Sequence, residues 1–165
     1  MLYRPGMELN DWLLALHLLS AFALVAALVV FSVAIVAVRR TDLPEQVIAV
    51  GRLFPVAKVA VTVGSLGVII FGVWLAISLD GVAVWSGWVI AAIVLWAAAS
   101  ETGRRADPIY AACIARAKEL VAAGQTGPDA GLAELARNQR GLVLHSLASL
   151  AVLLILVDMI WKPGA

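Results

Sequence analysis

Residues 13–38 read LLALHLLSAFALVAALVVFSVAIVAV, twenty-six residues without a charge, whose only polar side chains are His17, Ser20 and Ser32. An α-helix needs about 20 mostly apolar residues to cross the hydrocarbon of a bilayer, so this stretch is long enough to span. It is too long for a secretory signal; Glu8 and Asp11 precede it where such a signal carries basic residues, and Arg39-Arg40 stop it. We therefore read it as a retained transmembrane helix.

The rest of the 165-residue chain agrees. Hydrophobic residues make up 63% and charged residues 14%, against about 45–50% and about 25% in a soluble protein. That excess of apolar surface requires lipid as a second solvent. Three further stretches qualify as spans: about 56–79, 82–100 and 142–160. Lys+Arg is 12 and Asp+Glu is 11, so no basic surplus exists to neutralise phosphates and nucleic acid is excluded as a partner. One cysteine, Cys113, excludes a disulfide framework and Cys-rich metal motifs.

Ten of the twelve basic residues fall in two connections: Arg39, Arg40, Arg52 and Lys58 in the first, and Arg104, Arg105, Arg116, Lys118, Arg137 and Arg140 in the second. The positive-inside rule places both connections in the cytoplasm, with both termini outside. Trp12, Trp74, Trp85, Trp88 and Trp161 gather at the opposite boundary, and only Trp96 lies deeper. The expected fold is an all-α integral membrane four-helix bundle forming a single domain over 1–165.

Between the spans we expect an interfacial helix over about 43–54, with Asp42 as cap, Pro44 in the first turn, Glu45 as capping-box acid and a bend at Pro55. A cytoplasmic helical hairpin over about 104–140 follows. Asp107-Pro108 starts its first arm, which ends at Gly124; the second starts at Pro128-Asp129 and continues through Arg140 into the last span. The short 79–82 connection makes spans two and three antiparallel neighbours. Small and polar residues share one arc on span two (Lys58, Thr62, Ser65, Gly72, Ala76) and another on span three (Gly87, Ala91, Ala98, Glu101). Such arcs are either close helix–helix packing or a polar lining.

Climbing about 1.5 Å per residue sorts the ionisable groups. Lys58, Glu101 and His145 form an inner set, and His17 and Asp158 an outer pair. Lys58 can snorkel to the inner headgroups, and Asp158 can pair with Lys162 four residues on. His17 is the candidate cofactor ligand, with His145 the weaker one. Each is either a neutral imidazole bonded to a neighbouring helix or a ligand of haem iron or copper, or a proton relay. The two differ by about 25 Å in depth, which excludes joint ligation of one haem. Met7, Met159 and Lys58 are conceivable second ligands. No phosphate-binding glycine loop, nucleophile elbow or zinc pair is present.

The first-span histidine (Leu14-Ala15-Leu16-His17-Leu18-Leu19), four spans and basic connections resemble the small membrane proteins of the copper-resistance D group, which includes the small haem-binding protoporphyrinogen oxidases. The segments Phe71-Gly72-Val73-Trp74-Leu75, Trp85-Ser86-Gly87-Trp88 and Glu101-Thr102-Gly103-Arg104-Arg105, with the ending from Asp158 to Ala165, are similar to bacterial, especially actinobacterial, integral membrane proteins of unknown function. The resemblance implies a haem b role for His17 alone, and the apolar second span lacks the polar residues a porphyrin oxidase would need. The reading leans against an enzyme. Three roles are open: a non-catalytic subunit or scaffold packing on itself or a partner in a membrane complex, a haem- or metal-binding redox protein using His17, and a small transporter or ion-conducting oligomer lined by Lys58, Thr62 and Ser65.

Overall fold

The computed structural model describes residues 8–79 and 85–162. Their regular structure is entirely helical: α1 Leu9–Arg39, α2 Pro44–Gly51, α3 Leu53–Ser78, α4 Gly87–Ala122, α5 Ala130–Ala136 and α6 Gln139–Trp161. The 79–82 turn, the outer start of the third expected span, Arg4 and Met7 lie wholly or partly outside the described residues.

Three stretches are long and apolar enough to cross a membrane: Leu9–Arg39, Pro44–Ser78 and Ala130–Trp161. Helix α4 falls short because it starts at Gly87 and reaches Glu101 fourteen residues later, about 21 Å of rise. Outward-facing side chains on these helices are predominantly apolar, as at Phe22 (71% exposed), Val56 (70%) and Ile160 (75%). In water such a surface would aggregate, whereas in lipid it costs nothing.

The helices pair in two sets, α1 along α3 and α4 along α6. Since lipid is as apolar as leucine, close approach of α1 and α3 has to come from small residues. A Cβ on Gly64 would lie 2.7 Å from the Leu24 backbone nitrogen, and one on Gly67 would run into the Ser20 side chain. Gly72 lies against the His17 ring, 2.8 Å from where its Cβ would be. The small-residue face of α3 is therefore spent on α1. Although α3 and α4 follow one another in sequence, they meet through long side chains, Trp96 to Ser65 and Lys58 to Asp107.

At the basic end the packing changes character. Ala34, Ile35 and Val38 of α1, Val47 of α2, Phe54 of α3, Ala106, Tyr110, Cys113, Ala117 and Leu120 of α4, and Leu132 and Ala136 of α5 form one buried cluster. Val47, Ala117 and Leu132 are fully buried. This part is built as a soluble core is, from apolar area removed from water. Phe54 stacks on Tyr110 at 5.7 Å and tilts against Phe31 at 5.5 Å.

Several local expectations are corrected. The first connection breaks at Arg52 rather than at Pro55, and its helix is Pro44–Gly51 rather than 43–54. Proline cannot donate to the carbonyl four residues back and its ring clashes there, so the break falls beside Gly51, and Pro55 sits in the first turn of α3. Thr41 rather than Asp42 serves the start of α2, its Oγ1 accepting from the Leu43 N–H at 3.2 Å and donating to Gln46 Oε1 at 2.6 Å. No helix restarts at Asp107-Pro108, because α4 runs through Pro108 to Ala122. Ala106, Tyr110, Cys113 and Ala117 are all buried in the basic-end cluster, and that packing outweighs the lost backbone bond. Gly124 does end this arm, with φ of 76°, a left-handed conformation natural to glycine. The last arm is two helices, not one: Asp129 caps α5 and Asn138 caps α6, each accepting from the N–H three residues on, at 2.7 and 3.1 Å.

Candidate functional site

Between the two helix pairs lies a cavity of about 700 Å³ lined by α1, α3, α4 and α6. Both histidines line it, with Lys58, Thr62, Ser65, Trp96, Asp107 and Tyr110.

Hydrogen bonds fix which nitrogen each imidazole presents. The Nδ1 of His17 lies 3.1 Å from the carbonyl of Val68 in α3. A carbonyl only accepts, so Nδ1 carries the proton and the neutral ring leaves Nε2 bare. The Nε2 of His145 lies 2.8 Å from Ser32 Oγ, which is also 2.8 Å from the Leu28 carbonyl. A serine hydroxyl both donates and accepts, so this contact engages Nε2 in either tautomer and leaves Nδ1 outside it. Among the described residues the sealed side-chain atoms without a partner are the Tyr110 hydroxyl and Asp158 Oδ2; neither free imidazole nitrogen is sealed.

The same contacts set the vertical register. Ser32 and His145 share one level, as do Lys58 and Asp107, whose ammonium and carboxylate meet at 2.7 Å. His17 is fifteen residues from Ser32 along α1, about 22 Å higher. The imidazoles thus stand near opposite ends of one apolar cavity. Met159, fourteen residues beyond His145 on α6, comes to about the level of His17 and also lines the cavity. At the His17 end Lys162 lies over the Trp88 ring, 5.4 Å from its centroid, a cation–π contact. At mid-depth the Trp96 indole N–H donates to Ser65 Oγ at 2.7 Å.

The inner residues Lys58, Glu101 and His145 take separate partners. Lys58 is held by Asp107. Glu101 is chelated on its own helix by Arg104 (2.8 Å) and Arg105 (2.7 Å), whose hydrogen bonds pull its carboxyl down to about 2. His145 turns to Ser32. The outer pair is likewise separate, with His17 on Val68 and Lys162 on Trp88 rather than on Asp158. At the basic end, burial pushes the Tyr110 phenol up to about 12 and raises the Cys113 thiol. The sequence offered no sign of the Ser32–His145 and Lys58–Asp107 contacts, whose partners are 113 and 49 positions apart. Nor did it single out Gly64 and Gly67, which meet the α1 backbone and the Ser20 side chain only in the folded bundle.

No curated protein and no solved structure matches the chain. Residues 11–163 match a family described as predicted integral membrane protein, DUF2269. With the apolar helices and lipid-facing surface described above, this establishes an integral membrane protein whose activity is unassigned: the chain belongs to the DUF2269 family.

Proposed function

We propose that this protein binds a bilayer-derived amphipathic molecule inside the membrane, in the cavity between the α1/α3 and α4/α6 pairs. The observation that carries this reading is a 700 Å³ cavity with mostly apolar walls whose lining includes both imidazoles. A cavity of this size is in the range of small-molecule sites, and the sparse packing of α3 on α4 offers lipids a lateral way in. In this reading Gly87–Ser100 of α4 is the fourth span of the bundle, the basic end with its helical hairpin faces the cytoplasm, and both termini face outward. The test is to purify the protein from native membranes and identify what it retains by mass spectrometry. A defined molecule near one per chain, lost on Ala92→Trp, supports the reading. An identical lipid complement in both forms overturns it.

A second reading rests on His17. Its Nδ1–H held by a backbone carbonyl is the outer-shell arrangement that orients metal-ligating histidines, and Met159 at the same level suits a His/Met pair. These residues fit haem, which would supply one-electron chemistry, in line with the resemblance to the copper-resistance D group. A Soret band lost on His17→Ala is the expected result; a featureless spectrum from protein purified with haem supplied removes it. Transport is less favoured. Lys58 is bound to Asp107, Thr62 Oγ1 donates to the Lys58 carbonyl at 2.9 Å and Ser65 accepts from Trp96. A scaffold role would have to use the exposed Gly87 and Ala98 of α4, since the glycines of α3 are consumed internally.

A further inference from the structure

Helices α1 and α6 are pinned together at two levels. Ser32 meets His145 at 2.8 Å, and Arg39 Nη1 donates at 3.2 Å to the carbonyl of Asn138. The two contacts are seven residues apart on each strand of the seam, and they run in opposite directions. Ala37 therefore stands about level with Arg140, and Arg40 with Arg137. An open groove of about 470 Å³ follows α1 beside this seam, lined by Ser32, Val33, Val36, Ala37 and Arg40. It shares no lining residue with the cavity between the helix pairs. Val33 and Val36 are 61% and 45% exposed, so the groove turns apolar walls to lipid. Arg39-Arg40 end the uncharged run of α1, which puts the foot of the groove at the membrane boundary.

That foot carries positive charge without a counter-charge. Among the described residues the guanidinium groups of Arg40, Arg137 and Arg140 make no hydrogen bond or ion pair, and Arg39 spends its contact on a neutral carbonyl. Asp42 and Glu134, the acids nearest them in sequence, pair with none of the four. By contrast, Lys58, Arg104, Arg105 and Arg116 are each met by a carboxylate. We propose that the α1/α6 seam is a site for an anionic phospholipid, its chain along Val33, Val36 and Ala37 and its phosphate among Arg40, Arg137 and Arg140. Basic pockets between spans at the cytoplasmic boundary take such headgroups, and guanidinium forks match phosphate oxygens. A zwitterionic lipid brings its own cation into the cluster and gains less. A soluble anion finds the charge but leaves the apolar walls to other lipids.

The test titrates delipidated full-length protein in neutral detergent with phosphatidylglycerol and with phosphatidylcholine of the same chains, reading bound lipid by native mass spectrometry. The expected result is one saturable phosphatidylglycerol per chain, bound about tenfold more tightly than phosphatidylcholine. Arg40→Gln, Arg137→Gln and Arg140→Gln together should bring the two lipids level, and each alone should remove part of the preference; since these side chains hold nothing else, the fold should survive. Arg104→Gln with Arg105→Gln removes two cations from the same end of the molecule and should leave the preference unchanged. Ala37→Trp, which fills the groove, should weaken phosphatidylglycerol, and glycerophosphoglycerol without chains should not bind at millimolar concentration. Equal binding of the two lipids to the wild type, a preference that survives the triple change, or one lost equally with Arg104 and Arg105 overturns the site. Binding of the chainless headgroup as tight as the lipid overturns the lipid assignment. The cavity reading is untouched by any of these outcomes, because Ala92→Trp lies outside the groove.

Discussion

At the scale of single residues, buried polar atoms are the most informative. Tyr110 is 9% exposed and its hydroxyl has no partner, a situation that costs about 1–3 kcal/mol. Tyr110→Phe keeps the ring on Phe54 and removes that cost, so the ligand-free protein should unfold at an equal or higher temperature in detergent. A fall of more than a few degrees would mean that the hydroxyl has a partner. Glu101 yields a pH prediction with a definite sign. Its carboxyl is depressed from 4.5 to about 2, so its stabilising contacts are complete above pH 4.5 and are lost as pH falls through about 2. NMR of labelled glutamate should show one carboxyl titrating near 2, and Arg104→Gln with Arg105→Gln should return it toward 4.5. These roles were only partly legible in the sequence. His17 and His145 stand out as isolated polar residues in apolar runs, but which nitrogen each presents depends on Val68 and Ser32, which no local pattern names.

Among the helices, close approach and capping make separable claims. Gly64→Leu would drive a side chain into the α1 backbone and should cost about 1–3 kcal/mol or more through overpacking. Gly103, with open space where its Cβ would be, is the control: Gly103→Ala should be neutral or stabilise by up to about 1 kcal/mol. Thermal unfolding of the two variants in one detergent separates packing from propensity. Asn138→Ala removes the α6 cap and should cost about 1 kcal/mol. Sequence signals for helix ends succeeded where chain-local chemistry decides, as at Pro44, Gly124 and Asp129. They failed at Pro108, where the buried Ala106, Tyr110, Cys113 and Ala117 carry α4 through a residue that usually starts or stops a helix.

In the whole molecule two solvents act on one chain. The basic end has a core driven by water, and the remainder is held by glycine contacts and a few hydrogen bonds within lipid. Orientation is testable with Cys113→Ala as background: a cysteine at Gln125 should resist an impermeant maleimide in intact cells, and one at Trp85 should react. The reverse pattern would invert the topology. Membrane residence, helical class, the candidate spans and the grouping of cations opposite indoles follow from the order of residues alone, because transfer from water to lipid is additive along a chain and blind to distant neighbours. The pairing of α1 with α3, the cavity between the pairs and the free nitrogens of His17 and His145 were decided only in three dimensions. They arise from contacts between residues far apart in sequence, and inside lipid no hydrophobic gradient tells one helix which face to turn to another.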